Sequence, residues 1–98
     1  MNRSQAISAL MPYADAIKSR GATSLFLFGS SAQDNARPDS DLDLFVDYDP
    51  AAQFSLVDLV DIKFYLEDRL GVLVDITTRD SLHPMLRRGI ENSAVRVF

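Results

Sequence analysis

Two aspartates separated by one residue, Asp41 and Asp43, are the side chains in this sequence best suited to carry chemistry. On a strand, alternate residues leave the same face, so both carboxylates should emerge together with Cα atoms roughly 6.5–7 Å apart. Such a pair can share hard cations such as Mg²⁺, which typically takes one or two carboxylates together with substrate phosphates. Metal ions about 3.5–4 Å apart are the usual arrangement for phosphoryl and nucleotidyl transfer. The pair therefore predicts a metal site that handles phosphate.

The alternative is that the two acids merely keep a solvated sheet edge soluble, because short D-x-D strings are common. A calcium-binding EF-hand is the less suitable metal site. With Asp39 at its first position, the sixth position would be Leu44 and the twelfth Pro50, where the loop needs glycine and glutamate. A phosphate-handling metal site and a solvated edge both remain open on this evidence.

Two further features favour the metal site. Gly29 follows a fully apolar run and lets backbone approach a ligand closely, and Ser30 can open a helical turn whose free N–H groups bind phosphate. Asp75 lies in the middle of an apolar strand, where a carboxylate is costly unless it is paired or bound to metal. We interpret Asp75 as a third metal ligand or as a base for an attacking hydroxyl, the alternative being a salt bridge to Arg79 or another arginine.

Composition limits the class of protein. The 98 residues fit one domain, residues 1–98, and 47% hydrophobic with 24% charged residues is typical of a globular protein. The absence of cysteine excludes disulfide scaffolds, thiolate zinc sites and cysteine nucleophiles. A net charge of −4 argues against direct nucleic-acid binding. With no transmembrane-length apolar run and no signal peptide, we expect a cytoplasmic protein without a membrane role.

Helical and strand patterns alternate along the chain, which predicts one sheet with helices packed on it. The predicted helices run from Ser4 to about Arg20, with a kink or break at Pro12, from Ser55 to Leu70, and from Pro84 to about Asn92. The predicted strands are Leu25–Phe28, Asp41–Val46, Val72–Thr77 and a short edge strand at 95–98. The apolar stripe of the second helix should be widened by Leu56, Val60 and Phe64.

The motif resembles a known family. Gly29-Ser30, ten intervening residues and Asp41-Leu42-Asp43 are similar to the G-S-x(n)-D-x-D signature of the polymerase-beta-like nucleotidyltransferases. The longer strings 25–30 and 36–46 resemble the minimal nucleotidyltransferases (MNT) in particular, and similar segments continue to residue 84. The resemblance implies the α/β (α+β) nucleotidyltransferase fold, a small mixed β-sheet with helices packed mainly on one face. The face with the aspartates should form an open, shallow cleft.

The resemblance also implies a function. MNT proteins are prokaryotic antitoxins paired with HEPN toxins, which are helical ribonucleases, and the best-understood members transfer AMP from ATP to a tyrosine of the toxin. By this resemblance, Asp41, Asp43 and Asp75 are the catalytic carboxylates and hold Mg²⁺, while Gly29 and Ser30 bind the nucleoside triphosphate. We therefore expect an Mg²⁺-dependent protein adenylyltransferase with ATP as substrate and a HEPN-type toxin as partner.

One segment departs from the family pattern. After Gly-Ser the family usually has Arg-Ala-Arg-Gly, whereas this chain has Ser31, Gln33 and Asp34 at the positions of the two arginines and the glycine. Missing cations should weaken nucleotide binding, and the extra acid would add repulsion if it faces the nucleotide. Two alternatives therefore stay open: a non-catalytic antitoxin that binds its toxin directly, and a nucleotidyltransferase that acts on another acceptor.

Overall fold

A single four-stranded mixed sheet organises the chain. The computed structural model describes residues 1–33 and 41–98. The strands are β1 (Ala22–Phe28), β2 (Leu42–Tyr48), β3 (Val74–Thr78) and β4 (Val95–Arg96), in the order β3-β2-β1-β4. β1 pairs antiparallel with both β2 and β4, while β2 pairs parallel with β3. The four predicted strands are confirmed, including the short edge strand near the end of the chain.

Five helices accompany the sheet in the described part of the chain: α1 (Arg3–Leu10), α2 (Ala14–Ser19), α3 (Gly29–Ala32), α4 (Leu56–Leu70) and α5 (Pro84–Ser93). A 3₁₀ turn with Pro12 at its centre separates α1 from α2, so the predicted break is confirmed. Proline causes it because it lacks an N–H donor and its ring crowds the preceding turn. Two of the other helix ends are set by local signals. Asp58 Oδ2 accepts a hydrogen bond of 2.8 Å from the Ser55 N–H, and Gly71 closes α4 in the left-handed conformation.

The hydrophobic core lies on one face of the sheet, between the strands and the helices α1, α2 and α4. Its buried members are Ala6, Leu10, Ile17, Leu25, Leu27, Leu42, Leu44, Val46, Ile62, Leu66, Val74 and Ile76. In β2 and β3 every second residue points into this core, so the residues between them point to the opposite face. The aspartates of interest are among those that point away from the core.

The opposite face carries an aromatic cluster under α5. The Phe26 and Phe45 rings stack with centroids 4.8 Å apart, and the Arg79 guanidinium lies over both rings. Arg79 also pairs with Glu91 of α5, which holds that helix on this face. The predicted arrangement of helices mainly on one face is confirmed, with α5 as the exception.

The predicted widening of the α4 stripe is wrong. Leu56 and Phe64 are 73% and 59% exposed, and Val60 is exposed as well, whereas Ile62 and Leu66 are fully buried. The small sheet covers only a narrow strip of the helix, so the residues on its flank stay in solvent.

Candidate active site

Strand register brings Asp43 and Asp75 side by side. The two residues are partners in the parallel pairing of β2 with β3, which sets neighbouring strands about 4.8 Å apart. Leu42 and Leu44 on either side of Asp43 are buried in the core, so its carboxylate points to the opposite face. Asp43 is half-buried there and Asp75 is exposed.

Asp41 lies immediately before β2 and is exposed. Its charge nevertheless reaches the pair. The pKa of Asp43 is raised above its ordinary value, first by burial and then by the negative charges of Asp75 and Asp41. The three predicted carboxylates are therefore coupled through Asp43, and the charged form of Asp43 is the one that this environment penalises.

The alternative of a salt bridge from Asp75 to Arg79 is not what the structure contains. The Arg79 guanidinium contacts Asp47 at 2.7 Å and Glu91 at 2.6 Å instead. These contacts raise the pKa of Arg79. The Arg79 guanidinium therefore pairs with other acids, and Asp75 lies exposed beside Asp43.

The donor set fits a divalent cation that also takes oxygen atoms from a substrate. Within residues 1–33 and 41–98, no group of three or more acidic or histidine side chains is placed to hold a metal ion by itself. The half-buried Asp43 carboxylate, penalised by two neighbouring acids, is nevertheless a group that a cation would stabilise. Mg²⁺ commonly binds through one or two carboxylates plus phosphate and water.

We call Asp41, Asp43 and Asp75 the acidic group. Gly29, just after the end of the neighbouring strand β1, contacts this group. Phe28 is the register partner of Asp43, and Gly29 follows it with φ of +73° at the start of α3. A Cβ atom added at Gly29 would collide with Asp43 Oδ2. Both the left-handed backbone and the contact with Asp43 therefore require glycine here. Ser30 is the next residue in the single turn of α3 and is half-buried.

A comparison with known protein families bears on this site. The family model of the nucleotidyltransferase domain matches residues 10–97. The chain belongs to the nucleotidyltransferase domain family. The enzyme class predicted from the sequence is thereby confirmed.

Individual relatives agree with the smaller family as well. A candidate protein adenylyltransferase of Methanocaldococcus jannaschii is 42% identical over 72 residues, which cover 74% of this chain and 75% of the relative. A solved structure of a candidate minimal nucleotidyltransferase has a TM-score of 0.80 at 34% identity, with 97% of this chain and 95% of that chain covered. The predicted resemblance to the minimal nucleotidyltransferases is confirmed.

A complex of a tri-AMPylated HEPN toxin with its MNT antitoxin, from Shewanella oneidensis, shares the fold. The TM-score is 0.66 at 15% identity, with 94% of this chain and 71% of that chain covered. This likeness concerns the fold alone. Separately, none of the helices in the described residues is both long and apolar enough to cross a membrane.

The positions that depart from the family pattern differ in their surroundings. Ser31 is 1% exposed, and its Oγ has no hydrogen-bond partner in the structure described. Gln33 is exposed just after α3. Asp34 lies outside the described residues. The predicted weakening of nucleotide binding by these residues stays a prediction.

A groove of about 300 Å³ adjoins Gly29 in this nucleotidyltransferase domain. It is lined by Phe28, Gly29, Gln33, Leu86, Gly89 and Ile90, among others. We call it the α5 groove. The sequence analysis missed the contribution of α5, although positions 86, 89 and 90 have the spacing of one helical face.

Two other grooves share Tyr48, at the far end of β2 from the acidic group. Tyr48 lies five positions after Asp43, which corresponds to roughly 16 Å along a strand. The Tyr48 hydroxyl donates a 2.7 Å hydrogen bond to Asp80 there. These grooves are therefore remote from the carboxylates.

Proposed function

We propose that this chain is an Mg²⁺-dependent nucleotidyltransferase antitoxin that transfers AMP from ATP to a tyrosine of a HEPN-type ribonuclease toxin. The observation that carries the proposal is the alignment of Asp43 between Asp75 on one side and Gly29 on the other. The relative named for protein adenylylation and the AMPylated toxin complex with the same fold support the choice of reaction and partner. We further propose that the protein acts in the cytoplasm.

In this proposal, Asp41, Asp43 and Asp75 hold Mg²⁺, which offsets charge on the phosphates when it is bound. The absence of a side chain at Gly29 lets the Asp43 carboxylate lie against the backbone, and the backbone N–H groups beside it would meet the triphosphate. Ser30 adds a hydroxyl and a backbone N–H at the same place.

Asp75 is exposed and so can receive the proton of the attacking tyrosine hydroxyl. The tyrosine oxygen forms a bond to the α-phosphorus while the bond between that phosphorus and the bridging oxygen breaks. Pyrophosphate leaves with that oxygen, and the toxin keeps the AMP.

A non-catalytic antitoxin is the second candidate function. It is favoured by the surroundings of α3, where Ser31 is buried and Gln33 carries no charge, so neither supplies a cation for the phosphates. In that case, the chain would silence its toxin by covering it, and the carboxylates would be dispensable for protection.

Growth of cells that produce a HEPN-type toxin separates the two functions. The test variant is Asp41→Asn/Asp43→Asn, and the matched control is Asp61→Asn/Asp68→Asn, which changes the same charge on the exposed side of α4. An enzyme predicts that the test variant still co-purifies with the toxin but no longer protects growth, while the control protects. Protection by the test variant would contradict the proposed transfer and favour direct binding.

A further inference from the structure

Gly89 is a glycine that the fold itself does not require. It lies inside α5, and no positive φ is recorded for it. A Cβ atom added there would meet nothing within 4 Å. Glycine is unfavourable inside a helix, because it loses more backbone freedom on folding than alanine does. Neither backbone strain nor packing within the described chain accounts for its presence.

Gly89 lines the α5 groove and leaves space there, because it has no side chain. Leu86 and Ile90 stand on either side of it along the helix, and Phe28 faces them from β1. Leu86 is 60% exposed, so an apolar surface on this wall has no partner among the described residues. The groove volume of about 300 Å³ is at the small end of the range of sites for small molecules. A flat ring system would fit a groove that offers the apolar side chains of Phe28, Leu86 and Ile90, with Ser93 at its edge and no side chain at Gly89.

The groove lies on the side of Asp43 where the triphosphate is proposed to bind. Gly29 belongs to both features, since it lines the groove and stands against Asp43. In the sheet order β3-β2-β1, the residue proposed to take the acceptor proton, Asp75, lies on the other side of Asp43. A triphosphate at Gly29 would thus have its nucleoside within reach of the groove, while the acceptor approaches beside Asp75.

We propose that the α5 groove binds the base of the nucleoside triphosphate, with Gly89 keeping the slot open. The inference rests on the proposed function and names where its nucleotide is recognised. Gln33 lines the same groove. Its amide offers one donor and one acceptor, the pair that an adenine edge can match. The residue that replaces a family arginine would thus recognise the base instead of a phosphate.

Calorimetric titrations of the full chain with Mg²⁺ test this inference. ATP and inorganic triphosphate are the two ligands, because only ATP carries a base. The test variant is Gly89→Leu, which fills the slot, and the matched control is Arg88→Leu, which adds the same side chain at the neighbouring exposed position. Circular dichroism establishes that each variant is folded.

We expect Gly89→Leu to weaken ATP binding by about tenfold or more, a loss typical of an excluded binding group. Its affinity for inorganic triphosphate and both affinities of Arg88→Leu should stay as in the unsubstituted chain. Gln33→Leu should reduce the preference for ATP over GTP without changing the affinity for inorganic triphosphate.

Unchanged ATP affinity in a folded Gly89→Leu variant would overturn the inference and leave the proposed function standing. So would a variant that binds ATP normally but no longer binds a HEPN-type toxin, because the groove would then receive the partner. If the unsubstituted chain binds neither ligand, the proposed function fails and the inference fails with it.

Discussion

Asp43 and Asp75 are register partners in the only parallel strand pair of the described sheet, with both side chains on the face away from the core. The antiparallel neighbour of Asp43 is Phe28, which leads directly into Gly29. One half-buried carboxylate therefore has a second acid on one side and, on the other, the glycine backbone against which it packs. This arrangement is unfavourable for an isolated fold and suited to a bound cation.

Replacing Asp43 with asparagine should stabilise the metal-free protein. Because the pKa of Asp43 is raised in the fold, the folded chain holds this proton more tightly than the unfolded chain does. Stability is therefore lost as the pH rises from the unfolded pKa through the folded one. At neutral pH, we therefore expect Asp43→Asn to melt at a higher temperature than the unsubstituted protein.

The same variant should respond differently to Mg²⁺. Thermal melts with and without Mg²⁺ should show the cation stabilising the unsubstituted protein more than Asp43→Asn, since binding to the native state adds stability. Asp68→Asn is the control for the loss of one exposed acid. An equal response to Mg²⁺ in all three proteins would contradict a cation site at Asp43.

Gly29→Ala should damage the site more than a comparable glycine substitution elsewhere. Gly29 and Gly71 have similar φ values of +73° and +69°, but only at Gly29 would the added Cβ meet a neighbour, Asp43. We expect Gly71→Ala to cost about 1 kcal/mol from backbone strain and Gly29→Ala about 2–3 kcal/mol. Urea unfolding measures the difference, and equal losses would show that the contact with Asp43 is relaxed at no cost.

Arg79→Met should loosen α5. Arg79 joins Asp47 of β2 to Glu91 of α5 and lies over the Phe45 ring. Removing it takes the Arg79 contact from Asp47 and leaves Glu91 with Arg87, for which we expect a loss of about 1–3 kcal/mol. Hydrogen exchange should accelerate in α5 more than in α4. The exposed Arg88 offers the control variant Arg88→Met, and equal effects of the two variants would argue against a specific role of Arg79.

Acid should weaken the same connection. The pKa of Glu91 is lowered, chiefly by its hydrogen bond from Arg79 and also by the charge of Arg87. A carboxylate whose pKa is lowered in the folded state stabilises the fold fully above its unfolded-state pKa. This stabilisation is lost as the pH falls through the lower, folded-state pKa. The protection factors of the α5 amides, which correct for the slower intrinsic exchange in acid, should therefore decrease as the pH falls from about 6. In the variant Glu91→Gln this additional pH dependence should be absent.

Asp75→Asn should separate proton transfer from nucleotide binding. If Asp75 receives the proton of the acceptor hydroxyl, kcat should fall by about 10²–10⁴-fold. The affinity for ATP should change much less, because Asp41 and Asp43 remain. Asp80→Asn, at the far end of the fold beside Tyr48, is the control. Similar rates in Asp75→Asn and the unsubstituted protein would remove Asp75 from the reaction.

Local patterns predicted much of this fold. The break at Pro12 and the extent of α4 to Leu70 were both predicted, and each depends on residues within a few positions. The first helix begins at Arg3, because Asn2 caps it by accepting a 2.8 Å hydrogen bond from the Gln5 N–H. The predicted start was Ser4, one residue later. Several neighbouring polar residues can cap a helix, so the sequence defines its start only to within one or two positions.

Long-range relationships were less accessible. The motif indicated Asp41, Asp43 and Asp75 as candidates, but the contact between strands that makes Asp75 the partner of Asp43 depends on sheet order. Periodicity also could not show that Arg79 is held by Asp47 and Glu91, 32 and 12 residues away. The α5 groove was missed for the same reason, because β1 and α5 meet only in the folded chain.

The intact mass of a HEPN-type toxin, measured after incubation with this protein, ATP and Mg²⁺, tests the central claim most directly. We predict a gain of one or more whole AMP units, absent with Asp41→Asn/Asp43→Asn and present with Asp61→Asn/Asp68→Asn, and fragmentation of the modified peptide should place them on a tyrosine. An unchanged mass in a stable complex whose toxin is nevertheless silenced would contradict adenylylation and assign the chain to direct binding.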